Sequence, residues 1–575
     1  MTNSNITVLK FGGSVLRSEA DLPRAVHDVY RYWRQGQKVV AVVSAFKGTT
    51  ESLLDRSRAF GEDPQPEALA ALLSTGEAAS AAWLTLALKR SGIPATLLTL
   101  EQAGILTSGD TLDAEPVGAN AARLREELEG SVVVVAGYAG LNRNGCLTLL
   151  GRGGTDLTAL FLANELNARC VLLKDVEGLY RKAPTDGLCG QELFTRANYR
   201  TLERHGGKLV QSKAIRYAEE RGQTFEIGAI GQEPRTIVWG GNDEVERTPA
   251  NDQKRLRVAI LGCGTVGAGV YELLKALQDL FEIVGVANLD PDKALTRGVE
   301  ARHLEPDVLR LIERDCDIVI ELVGGIEPAR SYVEHALKAG RHVVSANKAL
   351  IAEAGIELQE LAARKGVQLR FSAAVGGALP ALEAVALAQA SDEPIAISGI
   401  INGTCNFICS QFEKGSNLDD AVNLAQELGY AEADPTLDID GTDAAQKLVL
   451  LMRQAFNVDI PVSDVARHGV EDISASQILS ARNAGRTFRL VAECRKDGGK
   501  VVAQVRPVEL PLSHPFVRTT GADNCLLIET ASGRNLMLRG RGAGRYPTSE
   551  AVVADLFDLK LGSLPACRLA KEAAL

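Results

Sequence analysis

Short runs of β-branched residues recur along the chain, each followed by a longer stretch of helical character. KVVAVVSAF (38–46), SVVVVAGYAG (131–140), CDIVIELVGG (316–325) and RHVVSANK (341–348) are the clearest. Strand-like runs alternating with helical ones predict α/β architecture with mostly parallel sheets. Twice the pattern takes a sharper form, a strand entering a glycine turn and then a helix: ITVLKFGGSVL at 6–16 and LRVAILGCGTVGAGVYELL at 256–274. Between these halves, GGNDEVERTPANDQKR is polar, charged and without periodicity, and it reads as a linker over 241–255. No short repeat and no low-complexity tract interrupts the pattern.

Composition narrows the class. At 575 residues the chain exceeds one hydrophobic core and calls for three or four domains. With 46% hydrophobic and 24% charged residues it has a globular balance. A net charge of −10 and the lack of a basic stripe argue against nucleic acid as partner. MTNSNITVLKFGG has no signal-peptide pattern and no apolar run reaches membrane-spanning length, so a cytoplasmic protein without a membrane partner is expected. The ten cysteines are scattered; Cys405 and Cys409 have a metal-compatible spacing but no nearby histidines, which favours free thiols.

Gly262, Gly264 and Gly267 form GxGxxG, with Thr265 and Val266 between the last two. GxGxxG alone could be a merely glycine-rich turn, but following a strand and opening a helix it reads as a dinucleotide cradle. The first glycine permits the turn, the second admits a pyrophosphate and the third lets helix and strand pack. The second strand of such a unit falls at about 282–288, and Asp290 stands just beyond its tip. A carboxylate there accepts hydrogen bonds from a ribose diol and repels a 2′-phosphate, which favours NAD over NADP. Asp before Pro also suits a turn, and Lys293 and Arg297 are near enough to favour a phosphate instead.

The stretch GYAEADPTLDIDGTDAAQKL (429–448) gathers Glu432, Asp434, Asp438, Asp440 and Asp443 before one cation, Lys447. A helix is predicted from Thr442, its N-cap, so Asp443 and Lys447 share a face at i and i+4. One reading is a surface ion pair. The other is a cup of carboxylates that binds a small ammonium group while the lysine reaches a polar oxygen.

AQELGYAEADPTLDIDGTDAAQK (425–447) resembles the signature of homoserine dehydrogenases. So do ELVGGIEPA (321–329), SANK (345–348), INGTCNFI (401–408) and GRGAGRYPTSEAVVADL (540–556), in family order. The resemblance spans 255–575 and implies reversible, NAD(P)-dependent reduction of L-aspartate 4-semialdehyde to L-homoserine. It implies that Lys447 donates the proton, Asp443 orients it, and Glu432 and Asp438 bind substrate. It also implies Gly403 and Thr404 in the substrate pocket, and Lys348, Gly542 and Gly544 on the cofactor side. SAAVGGALP (372–380) is similar to the family's sodium loop, with Ser372 where a glutamate is usual. Val375, Gly377 and Leu379 carbonyls are the expected sodium ligands.

Residues 1–240 resemble the amino-acid kinase family, aspartokinases above all, through VLKFGGS, VVSAFKG, STGEAAS, GRGGTDLTA, LLKDVEGLY and GGKLVQSKAI. The resemblance implies ATP, with magnesium, phosphorylating L-aspartate. Lys10, Gly12, Gly13 and Ser14 would serve the phosphates, with Ser44 beside them. Arg152 would hold the substrate carboxylate, Glu77 its ammonium, and Asp156 the catalytic network. Asp175 and Tyr180 would face the nucleotide and Lys208 the phosphates. The pattern departs at Val15, where the family has a small hydroxyl or thiol residue, and at RKAPTD after Tyr180. An active kinase and a catalytically inactive binding or scaffolding module both remain open.

The expected organisation is an amino-acid-kinase three-layer α/β/α domain over 1–240 and, beyond the linker, a Rossmann domain over 256–385. An α+β catalytic and dimerisation domain over 386–530 follows, then a segment, 531–575, returning to the Rossmann part. The resemblance alone implies a homodimer or higher homo-oligomer. No segment matches an ACT domain, so no feedback by threonine or lysine is expected.

Overall fold

The computed structural model describes residues 5–60, 64–182, 191–207, 209–248, 255–498 and 500–562. Lys208 lies outside the described residues. The chain divides into two compact units, one made of residues up to 254 and one mainly of residues from 255.

The first unit is built on a wide sheet. Six parallel strands run in the order Ala95–Leu98, Val132–Ala136, Lys38–Val43, Ile6–Phe11, Arg169–Lys174 and Phe225–Ala229. Every residue of Ile6–Phe11 is buried, as expected for a strand covered on both faces. The carboxyl ends of Ile6–Phe11 and Arg169–Lys174 bring Lys10 and Lys174 side by side, at the sheet edge where open α/β folds bind ligands. The expected linker is partly structured, because Glu244–Arg247 pairs antiparallel with Glu192–Asn198. All four of its residues are exposed, so ladder bonds hold it and no apolar pattern announces it. Pro66–Arg90, 25 residues rich in Ala and Leu, is long and apolar enough to cross a membrane, which the sequence reading missed. Ala70, Leu73, Ala81, Leu84 and Leu88 are buried along it, as in the core helix of a folded domain.

The second unit opens with five parallel strands, ordered Phe281–Ala287, Leu256–Leu261, Ile318–Glu321, His342–Ser345 and Leu369–Arg370. This is the Rossmann part. A six-stranded sheet follows, ordered Ala466–Arg467, Lys500–Pro511, Arg486–Asp497, Pro394–Ile400, Asp523–Thr530 and Asn535–Arg541. Helix Thr442–Phe456 packs on it; Ala, Gln, Lys, Leu, Met and Arg favour the helix, and Asn457 ends it in the left-handed region at φ 52°. Its N-cap is Gly441 rather than Thr442. Thr442 is drawn into the first turn because its backbone N–H and hydroxyl both donate to Asp440, at 2.7 and 2.8 Å.

The last strand, Asn535–Arg541, stays in the six-stranded sheet, and the return to the Rossmann part is made by helix Arg545–Leu561. Phe557 meets Phe281 edge-on with ring centroids 5.3 Å apart. Asp558 pairs with Arg370 at 2.9 Å, both side chains under 5% exposed. Removing one member of a buried pair leaves the other charge uncompensated. Asp558→Asn should therefore destabilise the second unit by about 3 kcal/mol. Trp33, Trp83 and Trp239 all belong to the first unit, so unfolding of the second is best followed by pulse proteolysis across a denaturant series. An unchanged midpoint would remove this pair from the docking of the helix.

Candidate active site

The acidic stretch separates into three jobs. Asp434 accepts from the backbone N–H and hydroxyl of Thr436 and closes its own turn. Asp440 caps the helix start. Asp443, in the first turn of helix Thr442–Phe456, is fully buried and binds Lys447 at 2.8 Å, so the i and i+4 pair is internal rather than a surface bridge.

Asp443 is also held from two other elements. Lys348, the first residue of helix Lys348–Arg364, reaches its other oxygen at 3.2 Å. Asn402, N-cap of helix Gly403–Lys414, donates to Asp443 at 2.8 Å and to Asp438 at 2.7 Å, while its oxygen accepts from Cys405. Burial alone would raise the Asp443 carboxyl, but Lys447 and Lys348 outweigh it and hold it at about 2. The same carboxylate raises Lys348, with Asp438 and Glu432 adding to it. Burial and the Asp443 charge raise Asp438.

Lys447 has three donors. One is spent on Asp443 and one on the Ile401 carbonyl at 2.9 Å, which leaves a third directed elsewhere. Glu432 is exposed yet close enough to act on Lys348. Thr404 is buried and donates to the Tyr430 carbonyl at 2.8 Å, tying its helix to the acidic loop; Gly403 begins that helix. Asn402 lies within INGTCNFI, but nothing in its spacing announces that it holds two carboxylates. Glu321 went unremarked too: fully buried, it accepts from Ser345 at 2.6 Å and from the Val323 N–H at 2.8 Å, fixing the turns after two Rossmann strands.

The glycine turn suits a dinucleotide. Gly262 has φ 92°, and a Cβ on Gly267 would come within 2.2 Å of the Gly262 carbonyl. Gly264 caps the 12-residue helix Thr265–Ala276, and a Cβ there would meet only Arg297, at 3.8 Å, so a phosphate can approach. Thr265 is exposed and Val266 half-buried in the first turn. Arg297 is anchored on the turn through the Cys263 carbonyl at 2.7 Å. Asp290 caps helix Pro291–Thr296, accepting from the Lys293 N–H at 3.0 Å. Gly542 is buried and Gly544, at φ 117°, caps helix Arg545–Leu561.

In the loop that resembles a sodium site, one of the expected ligands is already engaged. Val375 lies in the short helix Ala373–Gly376 and Gly377 follows it, but the Leu379 carbonyl already accepts from Ala381 at 2.7 Å. Ser372 donates its N–H and hydroxyl to the buried Asp555, at 2.9 and 2.8 Å. Among the described residues no group of three or more His, Cys, Asp or Glu side chains is placed to hold a metal. Cys405 and Cys409 are buried free thiols, and burial pushes both up.

In the first unit, Lys10, Gly12, Gly13, Ser14, Asp156 and Asp175 line one cavity of about 360 Å³ together with Lys174. Asp156 binds Lys10 at 2.7 Å and Lys174 at 2.9 Å. Burial opposes its charge, but the two lysines keep its carboxyl below the usual value. Glu77 is buried away from that cavity's lining, with one oxygen lacking any partner, and burial raises it to about 7. Arg152 is exposed, and Ser44 is half-buried with its N–H on the Phe11 carbonyl. Tyr180 does not line the cavity; it is buried in a strand, its hydroxyl 3.4 Å from Glu177.

A Rossmann unit with a glycine cradle, joined to a domain carrying a buried acid–lysine centre, defines a nicotinamide-nucleotide-dependent oxidoreductase. Residues 262–372 match the family profile described as homoserine dehydrogenase, NAD binding domain, and 380–557 match homoserine dehydrogenase. A homoserine dehydrogenase of Corynebacterium glutamicum is 40% identical over 314 residues, covering 52% of this chain and 70% of its own. One from Bacillus subtilis is 36% identical over 314 residues, covering 53% and 72%. A solved homoserine dehydrogenase of Thiobacillus denitrificans superposes with TM-score 0.52 at 34% identity, covering 54% and 76%. The chain belongs to the homoserine dehydrogenase family. Residues 5–227 match the amino acid kinase family, so it also carries a kinase-like unit.

Proposed function

We propose that the second unit interconverts L-aspartate 4-semialdehyde and L-homoserine, with Lys447 as proton donor. The observation that carries this is the buried Lys447 ammonium, fixed by Asp443 and Ile401 with one donor left over. The nicotinamide cofactor, when bound, supplies the hydride that adds to the aldehyde carbon. Charge then develops on the carbonyl oxygen, and Lys447 stabilises it and transfers a proton. Asp443 sets the direction of the lysine. Glu432 and Asp438 offer negative charge to the substrate's α-ammonium, and Lys348 balances them at the cofactor side. Lys447→Ala should lower kcat by about 10³-fold while cofactor affinity changes little. Turnover near that of the parent chain, measured as NAD(P)H formation from homoserine, would overturn the role.

NAD is the preferred cofactor in this reading. The tip of strand Phe281–Ala287 carries Asn288, the exposed Leu289 and Asp290, with no cation among them. Arg297 is partly engaged already, donating to the Cys263 carbonyl. Asp290→Ser keeps a good N-cap while deleting the charge, so it should shift kcat/KM toward NADP without loss of stability. A parent enzyme preferring NADP tenfold, about 1.4 kcal/mol, would show that Arg297 and Lys293 decide instead.

The first unit, in the same reading, is an aspartate kinase that uses ATP with magnesium. Lys10, held by Asp156, would neutralise charge on the transferring phosphoryl group, and Arg152 and Glu77 would take the ends of aspartate. The full chain should release ADP from ATP only with aspartate present. Because Glu77 is raised to about 7, it gains its charge as pH rises through that value, and KM for aspartate should fall over the same range. No aspartate-dependent ADP, with dehydrogenase turnover intact, would leave a binding or scaffolding module.

A further inference from the structure

Lys174 is a lysine too many for the network that holds it. It ends strand Arg169–Lys174, next to the strand that carries Lys10, and both ammonium groups converge on Asp156. All three side chains are 6–7% exposed. Lys10 alone neutralises Asp156. A second buried ammonium is then uncompensated, and a charge taken out of water needs a partner. Lys174 donates to both Asp156 oxygens, at 3.1 and 2.9 Å, which leaves one donor, and it lines a cavity of about 360 Å³ together with Gly12, Gly13 and Ser14. Gly153, N-cap of the 13-residue helix Gly154–Leu166, lines the same space, so the positive end of a helix dipole adds to the field. The other carboxylate of the lining, Asp175, is exposed to water.

We propose that Lys174 is a second phosphate-holding residue, which with Lys10 draws a polyphosphate chain into this cavity and lets it bind without a divalent cation. This rests on the kinase reading of the first unit and extends it, since Lys10 and Lys208 are the lysines that the resemblance implies at the phosphates. Asp156 positions the two ammonium groups; the anion supplies the missing negative charge. Burial lowers Lys174 to about 8, and an incoming phosphate favours its protonated form.

Calorimetric titration of the full chain with sodium tripolyphosphate in EDTA tests this. The parent chain should bind, Lys174→Met should bind at least about tenfold more weakly, and Lys174→Arg should recover most of the affinity. In parallel, amine-directed labelling of the parent chain read by mass spectrometry should show Lys174 protected by tripolyphosphate, a result independent of how any variant folds. Equal affinity in Lys174→Met, or an unprotected Lys174, overturns the proposal. So does a parent chain that binds ATP only with magnesium and tripolyphosphate not at all; the kinase reading then survives. A parent chain that binds neither tripolyphosphate nor magnesium-ATP overturns both.

Discussion

A carboxylate sealed from water stays ionised only while cations lie against it. Asp443 meets that condition with two lysines and an asparagine drawn from three different elements, and the geometry of the second unit follows from it. Lys348 must come from the helix start that follows Rossmann strand His342–Ser345, Asn402 from the helix start that follows strand Pro394–Ile400, and Lys447 from one turn further along the helix of Asp443 itself. Satisfying one charge thus joins the nucleotide-binding layer to the catalytic layer. Lys447 is oriented as a by-product of that satisfaction, so the order of this buried centre and the stability of the domain are one requirement.

The first unit solves the same problem in the same way on an unrelated sheet. Asp156 is sealed in the first turn of a helix, and the cations come from the ends of two adjacent parallel strands. The difference is in what the surplus charge faces. At Asp443 the surplus is balanced by further acids, Asp438 and Glu432, suited to a zwitterion. At Asp156 the surplus opens onto glycine-rich backbone and a helix N-terminus, suited to phosphate.

Much of this was legible in the sequence because local chemistry decides it. Glycines at fixed offsets after a strand, and an acid four residues before a lysine on a strong helix, leave few alternatives. What sequence could not show were partners brought by tertiary folding. Asn402 looks like any helix cap, yet its amide bridges two acids. Lys174 looks like the end of a strand. Tyr180 sits where a nucleotide-facing residue was expected, but packing turns it into the core beside Glu177. Thr442 is the better cap by preference, yet Asp440 two residues earlier captures its N–H and moves the boundary. Glu244–Arg247 forms a fully exposed strand held by backbone bonds and by Glu246 on Arg235, and no alternating apolar pattern records such a strand.

The helix Arg545–Leu561 also sets an order of events during synthesis. The Rossmann strands leave the ribosome between residues 256 and 370, but the helix that covers one of their helices and supplies Asp558 to Arg370 emerges 188 residues after its partner. Until then that layer has an open apolar flank around Val270, Leu274 and Phe281. The core of the first unit is drawn from residues 6–238, so it can close while the second is still being made. A chain stalled or cut before residue 545 would therefore present a first unit with a closed core and a Rossmann layer with one uncovered apolar face, a form that protein quality control should recognise by its C-terminal part alone.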